Sequence, residues 1–290
     1  MKYIKAPFNY VGGKYKILPQ IIPKFPQHIN TMVDVFGGAF NVGINTNADY
    51  YVYNDMITPL VTLQKHLYSN NVDDIIGYIH SKIDEYKLTK NDKASFNKFR
   101  DDYNNEEWKH PLDLYILMSF SFNYSARWNN KMEYNSGHGT NRSTYSKTLE
   151  KRLIKYISNL QEKKVSFNNK DFTQINYTEL TSDDFVYFDP PYILSTANYN
   201  DGKRGFKNWT ILQEKQLYNI LEHLTDDGIS WGLNNMITHK NKNNHYLSRF
   251  INDNKDNLNV YVMDNNFNNS NYNLKDKNTD TIELYITNRW

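Results

Sequence analysis

The 290 residues contain no cysteine. That absence removes disulfide frameworks, thiolate zinc sites and cysteine nucleophiles together, and it suits an intracellular compartment. No run approaches the roughly 18 consecutive apolar residues of a membrane span. The opening Met1-Lys2-Tyr3-Ile4-Lys5-Ala6-Pro7 lacks the apolar stretch of a secretory signal. An excess of one charge is missing too: 34 Lys plus Arg stand against 32 Asp plus Glu, for a net charge of +2. Such an average argues neither for nor against a polyanionic partner, because it can hide a local patch. The 8 histidines are scattered without ligand spacing and there is no HExxH, so no metal is expected. Hydrophobic residues make up only 39%, which leaves 24 Tyr, 15 Phe and 5 Trp to supply large buried areas. Asparagine is abundant, above all from Asp264 to Asn278, and reads as AT-rich coding rather than function.

Short apolar, β-branched or aromatic runs recur with turn residues behind them. Met32 to Phe36, Tyr50 to Tyr53, Phe185 to Phe188, Gly228 to Leu233, Leu258 to Val262 and Thr281 to Ile286 read as strands, with Val165 to Phe167 a shorter one. Leu149, Leu153, Ile154, Ile157 and Leu160 recur at helix spacing behind Ser146 or Thr148 as N-cap. Leu212, Leu217, Ile220, Leu221 and Leu224 form a second stripe, begun near Thr210 and stopped by Gly228. Strands alternating with helices predict a mostly parallel α/β sheet. Residues 60 to about 120 look helical throughout, and 121–145 turn polar, aromatic and irregular. We therefore read 61–145 as an insert between two halves of one sheet domain, 1–60 and 146–290.

Charge sharpens that division. Residues 120–160 carry Arg127, Lys131, Arg142, Lys147, Lys151, Arg152 and Lys155 against Glu133 and Glu150. Seven less two makes this window +5, so the remainder of the +2 chain is −3. Tyr124, Trp128, Tyr134 and Tyr145 interleave with the basic residues, a mixture that grips phosphates and stacks bases.

The sharpest motif is Asp189-Pro190-Pro191-Tyr192, directly after the strand Phe185 to Phe188. Ligands of open α/β sheets bind beyond the carboxyl ends of strands, so the tetrapeptide sits where chemistry is expected. Its prolines make a stiff turn without backbone donors. A carboxylate beside a free carbonyl can accept both hydrogens of an exocyclic amine, and the adjacent tyrosine ring can stack on the base that carries it. Near the N-terminus, Asp34-Val35-Phe36-Gly37-Gly38-Ala39 follows the first strand, and Asp55 follows the second. That spacing approximates the run from strand one to the ribose-binding acid of a nucleotide-binding βαβ unit. Neither GxGxxG nor a phosphate-binding P-loop is present, which disfavours a nicotinamide oxidoreductase.

Together these residues resemble the DNA N6-adenine methyltransferases of the Dam type over most of the chain. Tyr10-Val11-Gly12-Gly13-Lys14 resembles the family's first motif, which implies AdoMet contacts from Tyr10, Gly12 and Lys14. Asp34 to Phe40 resembles its Asp/Glu-Pro-Phe-x-Gly-x-Gly motif, which implies further contacts from Asp34, Phe36, Gly37 and Gly38. Asp55 falls on the residue that holds the ribose hydroxyls, and Asp171-Phe172 on the pair that contacts the adenine ring of AdoMet. Asp189, Pro190, Pro191 and Tyr192 fall on the catalytic motif. Arg127-Trp128-Asn129-Asn130-Lys131-Met132-Glu133-Tyr134-Asn135 resembles the hairpin that enters DNA. Arg127, Trp128, Asn129, Lys131, Asn135 and Arg142 are thereby candidate DNA contacts, with Trp128 stacking or wedging.

The sequence departs from the family at Val35 for proline, Phe40 for the second glycine, and Tyr10 for tryptophan. Phe40 is expected to crowd the methionine end of the cofactor. The resemblance implies a Rossmann-like α/β sheet with an inserted helical and β-hairpin target-recognition region. It also implies methyl transfer from AdoMet, without metal, to a flipped adenine in double-stranded DNA, with a GATC-like target as the default. N4-cytosine methylation is the alternative, although that class more often carries serine before Pro-Pro-Tyr. A DNA-binding relative without catalysis is another. A monomer or weak dimer in the cytoplasm of a bacterial or phage-infected cell is expected, and a restriction endonuclease counterpart is compatible with it.

Overall fold

Every run expected as a strand pairs into one sheet in the computed structural model, which describes residues 3–194, 209–264 and 281–288. In chain order they are β1 Thr31–Asp34, β2 Tyr50–Asn54, β3 Val165–Asn168, β4 Phe185–Phe188, β5 Ser230–His239, β6 Lys242–Asn243, β7 Leu258–Met263 and β8 Ile282–Asn288. Only the two-residue β6, an extension paired with β5, has no counterpart in the sequence reading. The order across the sheet is β3-β2-β1-β4-β5-β8-β7. From β3 to β5 the pairing is parallel, and β8 runs antiparallel between β5 and β7. This is the mostly parallel α/β sheet expected of a Rossmann-like methyltransferase. Beyond Asp264, the asparagine-rich stretch lies outside the described residues.

Strand β4 shows why the pattern is legible. All four of its residues are buried, Phe185 and Tyr187 in one apolar cluster and Val186 and Phe188 in the other. A strand covered on both faces must be apolar throughout, and each side chain contributes about 1.5–3 kcal/mol by leaving water.

The first face is covered by α1 Leu18–Ile21, α2 Thr58–Ser69 and α6 Lys147–Gln161. Between α2 and α6 run α3 Val72–Tyr86, α4 Lys93–Asn105 and α5 Pro111–Phe120. Helix α2 starts at Thr58, ahead of residue 61, and its Leu60, Leu63 and Leu67 join the same cluster as the sheet residues Tyr51 and Tyr53. Ser146 is the N-cap of α6, its side chain accepting from the Leu149 N–H at 3.2 Å.

The second face is covered by α7 Ile211–Asp226 and α8 His245–Asp253. A capping box between Thr210 and Gln213 starts α7, and Gly228 at φ +70° turns the chain into β5. Helix α8, absent from the sequence reading, is capped by Asn244 and buries Leu247 and Phe250. Among the described residues no helix is long and apolar enough to cross a membrane.

Strand β1 has β2 on one side and β4 on the other. The chain order reverses there, which opens a crevice beyond the strand ends. Asp34, Asp55 and Asp189 all stand at that edge.

Candidate active site

Strand β4 delivers Asp189-Pro190-Pro191-Tyr192 to the crevice as expected. The Lys14 ammonium lies 2.8 Å from Asp189 Oδ2 and 3.6 Å from Glu283 Oε1. It also donates to the Gly12 carbonyl and sits 5.2 Å from the centre of the Tyr192 ring. The Tyr192 hydroxyl lies 2.7 Å from Glu283 Oε1 and 3.1 Å from Asp189 Oδ1. Asn234 on β5 donates to Glu283 Oε1 at 3.2 Å and accepts from the Tyr187 hydroxyl at 2.7 Å. Lys14, expected among the cofactor contacts, is thus placed on the Asp189 carboxylate. Glu283 was missed altogether. Its only signal was a lone acid within an apolar strand, where burial demands donors.

Burial raises the acids of this edge. Asp189 is pushed up to about 6, with the Lys14 ammonium pulling it back down. Asp34, 3% exposed, is pushed up to about 8 by burial first and the neighbouring Asp189 second. Asp55 rises to about 6 through burial, although it accepts from the N–H groups of Gly38 and Ile57 at 2.9 Å each. Adjacent buried carboxylates of this kind favour a cationic guest.

The loop after β1 is close-packed. A Cβ on Gly37 would stand 2.4 Å from the Tyr53 ring, and one on Gly38, at φ +49°, would stand 2.8 Å from the Tyr10 ring. Tyr10 and the loop are therefore fitted to each other. Phe40 corrects an expectation. It holds φ +58°, the left-handed conformation that the motif's second glycine would adopt freely, and it is 1% exposed. Its ring packs edge-on against Tyr53 at 5.3 Å and lies over Gly43. The ring turns into the core and does not crowd the crevice. Because a Cβ on Gly43 would fall 2.0 Å from that ring, Gly43→Ala is expected to cost about 1–3 kcal/mol, read as a lower urea midpoint. An unmoved midpoint would mean that the Phe40 ring is free to shift.

Asp171 and Phe172 lie past β3, where Asp171 caps a short turn and Phe172 is buried. Phe36, Phe172 and Trp209 form an aromatic group with centroids 5.2–5.8 Å apart. Glu214, fully buried, accepts from the indole of Trp209, the hydroxyl of Tyr218 and the amides of Asn235 and Asn244. Neither Trp209 nor Glu214 was anticipated.

The basic segment does form a hairpin-like turn. Trp128 bridges Tyr134, and the Asn135 N–H reaches the Arg127 carbonyl at 3.0 Å. Asn129 ties the turn, accepting from Lys131 and Glu133 N–H and donating to the Glu133 carboxylate. Arg127, Lys131 and Arg142 are exposed, and Asn135 is half-buried. Trp128 departs from expectation: it is 1% exposed and packs edge-on against Tyr134, so its ring anchors the hairpin from inside. A tryptophan among basic residues looks like a stacking platform, but here the neighbouring core claims it. The N-terminal segment adds to this surface. Asn9 bridges Ser125 and donates to the Asn123 carbonyl. Partial desolvation of the Lys5 ammonium first, and then the like charges of Arg152 and Lys16, lower its pKa, which places the three cations on one surface.

A family model described as D12 class N6 adenine-specific DNA methyltransferase matches residues 10–260. The modification methylase StsI of Streptococcus sanguinis is 43% identical over 287 residues, covering 99% of this chain and 43% of that protein. The type II methyltransferase M.FokI of Planomicrobium okeanokoites is 42% identical over 286 residues, with 99% and 43% covered. The DNA adenine methylase of Escherichia coli strain K12 is 25% identical over 232 residues, 78% of each chain. The chain therefore spans less than half the length of the first two relatives. With Asp189-Pro190-Pro191-Tyr192 at the switch of a mostly parallel sheet and a family match across nearly all of the chain, this protein belongs to the D12 class of N6 adenine-specific DNA methyltransferases.

Proposed function

We propose that this chain transfers a methyl group from AdoMet to the N6 amine of an adenine turned out of duplex DNA. The observation that carries the reading is Asp189, a half-buried carboxylate beyond β4 that already holds an amine, the Lys14 ammonium, 5.2 Å from the Tyr192 ring centre. A target amine makes the same demands: an acceptor for its hydrogens and an aromatic face beside its ring. Asp189 and the Pro190 carbonyl accept the N6 hydrogens and draw the nitrogen lone pair out of conjugation. Tyr192 supports the base. Positioning accomplishes most of the work, because displacement at a methyl carbon needs alignment more than acid–base help. One N6 hydrogen leaves as a proton, and Asp189 is the adjacent base. A base inside a duplex cannot reach this crevice, which is why flipping belongs to the proposal.

The residues fit AdoMet. Its positive charge suits the buried Asp34 and Asp55, and when bound it supplies the methyl group. Tyr10, Gly12, Phe36, Gly37, Gly38, Asp171 and Phe172 complete the site that would hold it. Arg127, Lys131 and Arg142 on the hairpin side, joined by Lys5 and Lys16, form the surface for DNA. A GATC-like sequence is the first target to try. Relatives named modification methylases make a restriction endonuclease counterpart and cytoplasmic action part of the same reading.

Purified protein is expected to move tritiated methyl from AdoMet to duplex oligonucleotides, with the label recovered as N6-methyladenine after digestion. Label in N4-methylcytosine would change the base assignment, and no incorporation into any DNA would end the proposal. Arg127→Ala is expected to weaken DNA binding by about 1–3 kcal/mol and flatten its salt dependence, with AdoMet binding intact. Fluorescence anisotropy across a salt series measures this; unchanged affinity and slope would remove Arg127 from the interface.

A further inference from the structure

Two groups already occupy the oxygens of Asp189 that an entering amine requires. Lys14 takes Oδ2 at 2.8 Å, and the Tyr192 hydroxyl lies 3.1 Å from Oδ1. That hydroxyl has one proton, so it donates to one carboxylate at a time. Glu283 Oε1 is the nearer acceptor, at 2.7 Å, and is also 3.6 Å from Lys14. Glu283 arrives from the opposite direction on antiparallel β8, and its side chain is 1% exposed. Asn234 donates to the same oxygen, and its amide orientation is set by the Tyr187 hydroxyl, so the carboxylate is fixed in place.

We infer that Glu283 is a positioning residue: it accepts the Tyr192 hydroxyl's hydrogen bond and offers Lys14 a second anion, so that Asp189 is released to accept the target amine. The inference rests on the methyl-transfer reading above. Without Glu283, Asp189 is the acid that remains to Lys14 and the Tyr192 hydroxyl among the described residues, and there they compete with the substrate. A residue that merely filled space would not alter that competition.

Among the described residues the charged and titratable groups facing Asp189 are Lys14, Glu283, Tyr192, Tyr187 and Asp34. Carbon-13 labelling of the aspartate carboxyls, with Asp189→Asn for assignment, allows Asp189 to be titrated by NMR in the intact chain. Glu283→Gln is expected to lower its midpoint by about one pH unit or more, since a like charge is removed and Lys14 closes fully onto Asp189. It should also lower kcat by about 10–100-fold, with KM for DNA and Kd for AdoMet little changed. Tyr192→Phe, which keeps the ring, is expected to leave the Asp189 midpoint where it was, because the hydroxyl directs its hydrogen bond to Glu283. The double variant should turn over faster than Glu283→Gln alone, having lost one competitor. An unmoved midpoint in Glu283→Gln, or a clear rise in Tyr192→Phe, overturns the inference. An inert wild type would instead overturn the methyl-transfer reading, and the two titrations would still decide how the proton and Lys14 are shared.

Discussion

Asp189→Ala is expected to lower methyl transfer by about 10²–10³-fold or more while leaving the fold and AdoMet binding in place. The loss follows from what the carboxylate does. In the proposed reaction it is the acceptor at the end of β4 that orients the amine, and no other side chain at the motif can take its place. The fold should survive because Lys14, deprived of Asp189, retains Glu283 as an anion at 3.6 Å. The wild-type pH profile gives an independent check. Burial pushes the Asp189 carboxyl up to about 6, and the proposed reaction needs the ionised form as acceptor. Acidification through that pH adds the proton and removes the acceptor, so kcat/KM should fall on the acid side. Single-turnover assays from pH 5 to 8 would show this limb. Substantial transfer by the alanine variant, or a flat acid side in the wild type, would place the chemistry elsewhere.

The largest expected effect on stability lies on the other face of the sheet. Glu214→Ala should cost about 3–5 kcal/mol, because four donors lose a shared buried acceptor at once. Those donors come from three elements and the segment before α7: Trp209, Tyr218 of α7, Asn235 of β5, and Asn244, the cap of α8. In a chain of this size such a loss lowers Tm by about 6–15 °C, measurable by calorimetry. Glu214→Gln keeps the shape but sets an amide hydrogen among donors, so it should fall between wild type and alanine. A shift of a degree or two in the alanine variant would show that water replaces the carboxylate, contrary to its full burial. Trp209 rests on Phe172 and Phe36, so weaker AdoMet binding should accompany the loss of stability.

The elements most legible in the sequence are those whose local signals agree with their burial. Phe185 to Phe188 could be read directly because both faces are covered, and α6 because Ser146 and the apolar stripe from Leu149 to Leu160 coincide. Helix α8 was hidden because only Leu247 and Phe250 of its nine residues are buried. Glu214 carried a signal that went unused: it stands three, four and seven residues before Leu217, Tyr218 and Leu221, on the buried stripe of α7. Phe40 and Trp128 show the opposite limit. Residue type and motif position pointed each ring outward, and only the surrounding packing, Tyr53 with Gly43 in one case and Tyr134 in the other, turned them inward.

The place of β8 bears on how the enzyme comes into being. It is the last of the described strands to be synthesised, yet it lies between two older ones, β5 and β7, which have no direct pairing with each other. Lys14 emerges near the start of translation and waits through some 270 residues of synthesis for the partner that β8 carries. Contacts so distant in sequence close late. A growing chain can therefore present its basic surface and its aspartates before β8 brings Glu283 to Lys14 and Tyr192 and completes the cluster at the end of the sheet.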